Sequence, residues 1–136
     1  MLRSTIAGDA SAVAGVIDAI HADYTSVLKY NDENALACVL TMAYYAAQRS
    51  YKMLRELPAG KGFADVVLLP KRGVVDMPAV VLELKYDQSA DAAIAQIRER
   101  RYAGVLCDFV GQVVLVGINY DKQTKRHECK IEHLVF

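Results

Sequence analysis

Two apolar runs of strand length constrain this chain more than any other feature: Gly62-Phe63-Ala64-Asp65-Val66-Val67-Leu68-Leu69 and Ala79-Val80-Val81-Leu82-Glu83-Leu84-Lys85-Tyr86. The connector, residues 70–78, has proline at both ends and glycine within, so it reads as a loop and the runs as an antiparallel hairpin. Side chains alternate along a strand, which puts Glu83 and Lys85 on one face and Leu82, Leu84 and Tyr86 on the other. A register centred on Val74 sets Leu69 against Ala79, Val67 against Val81 and Asp65 against Glu83. Two carboxylates and an ammonium are then expected at one spot.

That meeting needs a cause. Like charges directly opposite one another destabilise a sheet, and apolar central strands leave little water to screen them. A divalent cation removes the conflict, because opposed Cβ atoms about 4.5–5.5 Å apart let two carboxylates converge on one Mg²⁺ at roughly 2.0–2.1 Å. The Leu84 carbonyl and waters would complete an octahedron. Lys85 would sit beside a bound water, to orient and help deprotonate it or to steady charge on a phosphate.

Asp65 followed by Glu83-Leu84-Lys85 on the next strand resembles the signature of the PD-(D/E)XK nuclease superfamily. Further stretches extend the resemblance: Tyr30-Asn31-Asp32-Glu33-Asn34-Ala35-Leu36, Arg55-Glu56-Leu57-Pro58, Gly60-Lys61-Gly62, Ala95-Gln96-Ile97 and Val116-Gly117-Ile118-Asn119-Tyr120. Together, over residues 8–132, they are similar to the nuclease-like module at the C-terminus of bacterial AAA-ATPase-like proteins. Ala64 stands where the superfamily name has proline, a position that varies among its members. The resemblance implies a restriction-endonuclease-like core, metal-dependent phosphodiester hydrolysis with Mg²⁺ or Mn²⁺, and an AAA-ATPase-like partner domain.

The chain's 136 residues suit one domain. No signal segment and no apolar run near ~18 residues is visible, which points to the cytoplasm. Cys38, Cys107 and Cys129 are far apart and odd in number, as expected of small buried hydrophobes in a reducing compartment. Net charge is zero, from 16 basic and 16 acidic residues. A protein tracking long duplexes by electrostatics alone is normally basic, so nucleic acid contact is expected to be local or supplied by another domain, as in a piece of a larger protein.

Apolar residues at three- and four-residue steps predict a helix over residues 8–30, capped by Asp9 or Ser11, and a second over residues 31–50, capped by Asn31 or Asp32. Glu33 falls on the second helix's apolar stripe. It reads either as a first-turn acid favoured by the helix dipole or, as the resemblance implies, as a water-mediated or second-metal ligand. Residues 51–57 read as a strand, in which Glu56 is either a further site residue or the partner of a nearby cation. Gly60-Lys61-Gly62 lacks the spacing of a phosphate loop and leads into a strand rather than a helix.

A third helix is expected from Asp87 or Ser89 to about residue 106, with Ala90, Ala93, Ile94, Ile97 and Gly104 as a small-residue face. Gln96 on its flank either bonds backbone or water, or assists at a phosphate, as the exonuclease-like branch of the superfamily implies. Arg98, Arg100 and Arg101 form the densest basic run, either a solvated face or a phosphate contact. Lys122, Lys125 and Arg126 fall in a turn between two final strands. His127, Cys129 and His133 alternate on the last strand without zinc spacing, and packing is expected of them.

The expected architecture is therefore α/β, in the order α-α-β-β-β-α-β-β, with a mixed sheet of about five strands flanked by helices. Residues 1–30 read as a lead-in helix and 31–136 as a nuclease-like domain, together one compact unit. The expected catalytic set is Asp65, Glu83, Lys85, Glu33 and Gln96, with metal held by Asp65, Glu83, the Leu84 carbonyl and Glu33. The expected partners are nucleic acid, DNA in particular, and the ATPase-like domain. A silent or regulatory nucleic-acid-binding module is the alternative.

Overall fold

The computed structural model describes residues 1–24, 44–58, 63–74, 76–100 and 112–135, with backbone alone at 21–24, 46, 55–58, 63–65, 86, 98–100 and 135. Two helices open the chain, α1 (Leu2–Ala7) and α2 (Ala10–Tyr24). A 3-10 helix (Tyr45–Arg49) leads into β1 (Tyr51–Pro58), β2 (Phe63–Pro70) and β3 (Ala79–Tyr86). Helix α3 (Ala90–Arg100) then connects to β4 (Gln112–Asp121) and β5 (Arg126–Val135).

The five strands form one mixed sheet whose order is the order of the chain, β1-β2-β3-β4-β5. Three pairings are antiparallel, and β3 with β4 is parallel, α3 lying in the crossover between them. The hairpin register is the expected one, with Val67 opposite Val81.

The helix expected over residues 8–30 is α2, described from Ala10 to Tyr24, and a short helix that was not expected, α1, precedes it. Gly8 takes a left-handed backbone (φ 80°, ψ 19°) and closes α1, with its N–H donated to Thr5 O at 3.1 Å and that of Asp9 to Ser4 O at 2.9 Å. Asp9, one of the two proposed caps, then starts α2 by accepting the Ala12 N–H at 3.1 Å. Of the helix expected over residues 31–50, most lies outside the described residues; its described end is 3-10 rather than α.

Alternation along the strands divides the core in two. Under α1, α2 and the 3-10 helix lie Val13, Ile17, Tyr51, Leu68, Leu82 and Ile118, among others. Under α3 lie Val67, Val81, Ile94, Ile97, Val113 and Leu115. Each fully buried aliphatic side chain contributes about 1.5–3 kcal/mol, so both helical layers are held mainly by apolar burial.

Polar clasps fix their orientation. Asp18 Oδ1 accepts the His127 backbone N–H at 2.8 Å and lies 2.7 Å from its ring Nδ1, joining α2 to β5. Tyr44 and Thr5 hydroxyls meet at 2.7 Å, and Tyr51 donates to the Pro78 carbonyl at 2.6 Å. His127 is buried, Cys129 half-buried and His133 exposed against the Ile6 carbonyl at 3.0 Å, so these three serve helix packing.

Candidate functional site

Strand β3 carries Glu83 and Lys85 on the face covered by α3, since Val81 and Ala79, two and four residues before Glu83, belong to the core beneath that helix. Leu82 and Leu84 point into the opposite core. Glu83 is only 2% exposed, an environment a carboxylate enters only with compensating partners. Lys85 is half-buried.

The partners in the sheet follow from register. Glu83 stands beside Gly117, and Gly117 beside Lys130; Lys85 stands beside Asn119, and Asn119 beside Glu128. On the other side, the β2–β3 pairs run from Leu68↔Val80 to Val66↔Leu82, and one further step brings position 65 abreast of Glu83. Pairs Arg55↔Val66 and Leu57↔Ala64 bracket positions 56 and 65, which therefore stand opposite each other. Glu83, Gly117 and Lys130 thus form one row across β3, β4 and β5, and the same registers extended by one step carry it to positions 65 and 56. Past Leu82, β3 remains paired with β4 as far as Tyr86, while its described pairs with β2 have ended.

Helix α3 sits on this row because Gly117 has no side chain. A Cβ there would lie 2.6 Å from the Ala90 carbonyl oxygen and 2.9 Å from Ile94 Cγ1, which no real contact tolerates. The helix start is anchored from the sheet. Glu128 Oε1 accepts the Ala90 N–H at 3.3 Å, Asn119 Oδ1 accepts the Gln88 N–H at 2.9 Å, and Ser89 Oγ accepts the Ala92 N–H at 3.0 Å. Of the two expected caps, Ser89 is the one used. Asp87 instead adopts a left-handed backbone (φ 52°) and accepts the Lys122 N–H at 2.8 Å. Lys130 is paired with Asp91 in the helix's first turn, and that hydrogen bond raises its pKa. Gly117, Asn119 and Glu128 have no signature of this role readable in advance, because each acts on a residue far along the chain.

Gln96 is half-buried on the flank of α3, and its Oε1 is buried with no hydrogen-bond partner among the described residues. An acceptor so placed fits a ligand or a water better than it fits a finished core. Asp65 is in β2, and Arg98 and Arg100 are in α3, all with backbone alone described; Glu33 and Arg101 lie outside the described residues. Among the described residues no group of three or more His, Cys, Asp or Glu side chains gathers to hold a metal. Of the expected carboxylate ligands, Glu83 is the one whose side chain is described. A carboxylate such as that of Glu83 is an oxygen donor of the kind that Mg²⁺ or Mn²⁺ takes, not one that a thiolate-preferring metal selects. No described helix is long and apolar enough to cross a membrane.

A profile of the PD-(D/E)XK nuclease superfamily matches residues 31–130. The matched stretch contains β1 to β4, α3 and half of β5, and with them Glu33, Asp65, Glu83, Lys85 and Gln96. The mixed five-stranded sheet flanked by helices agrees with the restriction-endonuclease-like architecture of that family. A search among curated proteins returns no match.

Proposed function

The chain belongs to the PD-(D/E)XK nuclease superfamily, and from that membership we propose that it is a divalent-metal-dependent nuclease that hydrolyses phosphodiester bonds in DNA. The observation that carries this reading is a glutamate 2% exposed in a central strand, two residues before a lysine on the same face, with an aspartate position one register step beyond the pair Val66↔Leu82. Burial of that kind is costly for a carboxylate that serves packing alone.

In this reading Asp65, Glu83 and the Leu84 carbonyl hold Mg²⁺ or Mn²⁺, with Glu33 as a water-mediated or second-metal ligand. The cation supplies charge neutralisation at the phosphate and acidity to water when bound. Lys85 orients the attacking water and steadies the charge that grows on the phosphoryl oxygens. Gln96 offers its amide oxygen to that water or its amide N–H to the phosphate. Water adds to phosphorus as the ester oxygen in line with it departs. Arg98 and Arg100 of α3, together with Arg101, serve as phosphate contacts. Residues 31–136 carry the chemistry, and residues 1–30 are its lead-in.

The test is cleavage of linear and circular DNA with Mg²⁺ or Mn²⁺ by wild type, Glu83→Ala and Lys85→Ala. Cleavage that depends on the metal and disappears in both folded variants is expected; equal cleavage by all three places the activity elsewhere. Zero net charge favours a second reading, a regulatory nucleic-acid-binding module working with an AAA-ATPase-like partner. Calorimetry separates them: nucleic acid affinity without Mg²⁺ or Mn²⁺ binding supports the second.

A further inference from the structure

A chain of zero net charge meets a polyanion only where its cations are locally concentrated, and one such fully described concentration is the β4–β5 turn. Lys122, Lys125 and Arg126 are all exposed there, and none forms an ion pair among the described residues. The nearby carboxylates are turned to the backbone. Asp121 Oδ1 accepts the Gln123 N–H at 2.8 Å and the Thr124 N–H at 3.3 Å, and Asp87 Oδ1 accepts that of Lys122. Lys125 N–H closes the turn on the Asp121 carbonyl at 2.8 Å, with Lys125 itself left-handed at φ 57°.

The turn is also tied to the strand that carries Glu83 and Lys85. Asp87, one residue beyond β3, donates its N–H to the Tyr120 carbonyl at 2.8 Å while its carboxylate holds Lys122. Lys85 stands beside Asn119, three residues before Lys122, so the first cation of the turn lies about 10 Å along β4 and one strand spacing, about 4.8 Å, across from it. Because β3 and β4 are parallel, both lie at the same end of the sheet.

We infer that Lys122, Lys125 and Arg126 grip the phosphate backbone of the nucleic acid beside the bond to be cut, giving sequence-independent affinity to a protein without overall positive charge. This rests on the nuclease reading. The turn positions backbone and touches no reacting atom, so its loss weakens binding and raises KM while leaving kcat within about twofold.

The full chain and a fluorescein-labelled 30-base-pair DNA in EDTA give the binding readout across a salt series; cleavage with Mg²⁺ gives the second. Each neutralised phosphate contributes about 0.9 to the slope of log K against log salt, so Lys122→Gln/Lys125→Gln/Arg126→Gln is expected to lower the slope by about 2–3. Lys122→Gln/Arg126→Gln, which keeps the left-handed Lys125, is expected to lower it by about 2. Lys71→Gln/Arg72→Gln removes exposed charge at the opposite end of the sheet and is expected to leave the slope unchanged. A turn variant with wild-type affinity and slope, or a Lys71/Arg72 variant that loses as much, overturns the inference while cleavage by wild type keeps the nuclease reading. Wild type that neither binds nor cleaves DNA overturns both.

Discussion

Glu83 and Gly117 stand side by side across the parallel joint of β3 and β4, and the bare Cα of Gly117 lets α3 come down over the strand that carries the carboxylate. The atom nearest a Cβ at position 117 is a backbone oxygen, Ala90 O at 2.6 Å, which cannot swing aside as a side chain does. Gly117→Ala is therefore expected to cost about 1–3 kcal/mol in urea unfolding. DNA cleavage is expected to fall as well at temperatures where the variant stays folded, because Gln96 rides on the displaced helix.

Gln96 Oε1, without a hydrogen-bond partner among the described residues, makes opposite predictions for stability and for activity. Gln96→Met keeps length and removes the orphaned acceptor, so the protein in EDTA is expected to gain about 1 kcal/mol. Metal-dependent cleavage is expected to drop in the same variant. A fall in stability with unchanged cleavage assigns the amide to packing alone.

Asp18 joins α2 to β5 through one oxygen serving both the backbone N–H and the ring of His127. Asp18→Ala removes that shared acceptor beside a buried imidazole and is expected to cost about 2 kcal/mol or more in urea unfolding. Asp18→Asn retains an oxygen for the backbone N–H, and a smaller loss is expected. Faster amide exchange in α2 and β5, with β2 and β3 still protected, would place the damage at this joint.

Alkaline pH acts on three weak acids, the buried Tyr44 and Tyr51 and the half-buried Cys129. Burial pushes the Cys129 thiol from 9.0 up to about 12 and the Tyr51 phenol from 10.0 up to about 12, and raises the Tyr44 phenol further. Each is neutral when protonated and loses its proton more readily in the unfolded chain, so stability is complete below pH 9 and declines as pH rises toward 12. The decline steepens by about 1.4 kcal/mol per pH unit for each group engaged. Cys129→Ala is expected to delay its onset from about pH 9 to about pH 10, read from urea midpoints across that range.

The part of this structure legible in advance was the part governed by neighbours in sequence. Prolines at both ends of the 70–78 loop and a register centred on Val74 set Val67 against Val81, and a helix between β3 and β4 fits their parallel crossover. Helix α1 was harder to read, since its six residues span fewer than two turns and too few apolar steps to set a period. Gly117, Asn119 and Glu128 seat α3 through contacts from distant strands, which no local pattern encodes. Glu83 and Lys85 share a face because strand periodicity requires it, whereas Glu33 and Arg101 fall outside the described residues.

Helix α2 is made before any strand, yet its polar anchor is His127 on β5, 109 residues further along the chain. Among the described residues that anchor comes from the fifth strand, so during synthesis the helix is expected to stay amphipathic and loosely docked until β5 has left the ribosome. Nascent chains halted before Arg126 should thus be cut by protease within residues 10–24, and chains extended past Val135 should resist.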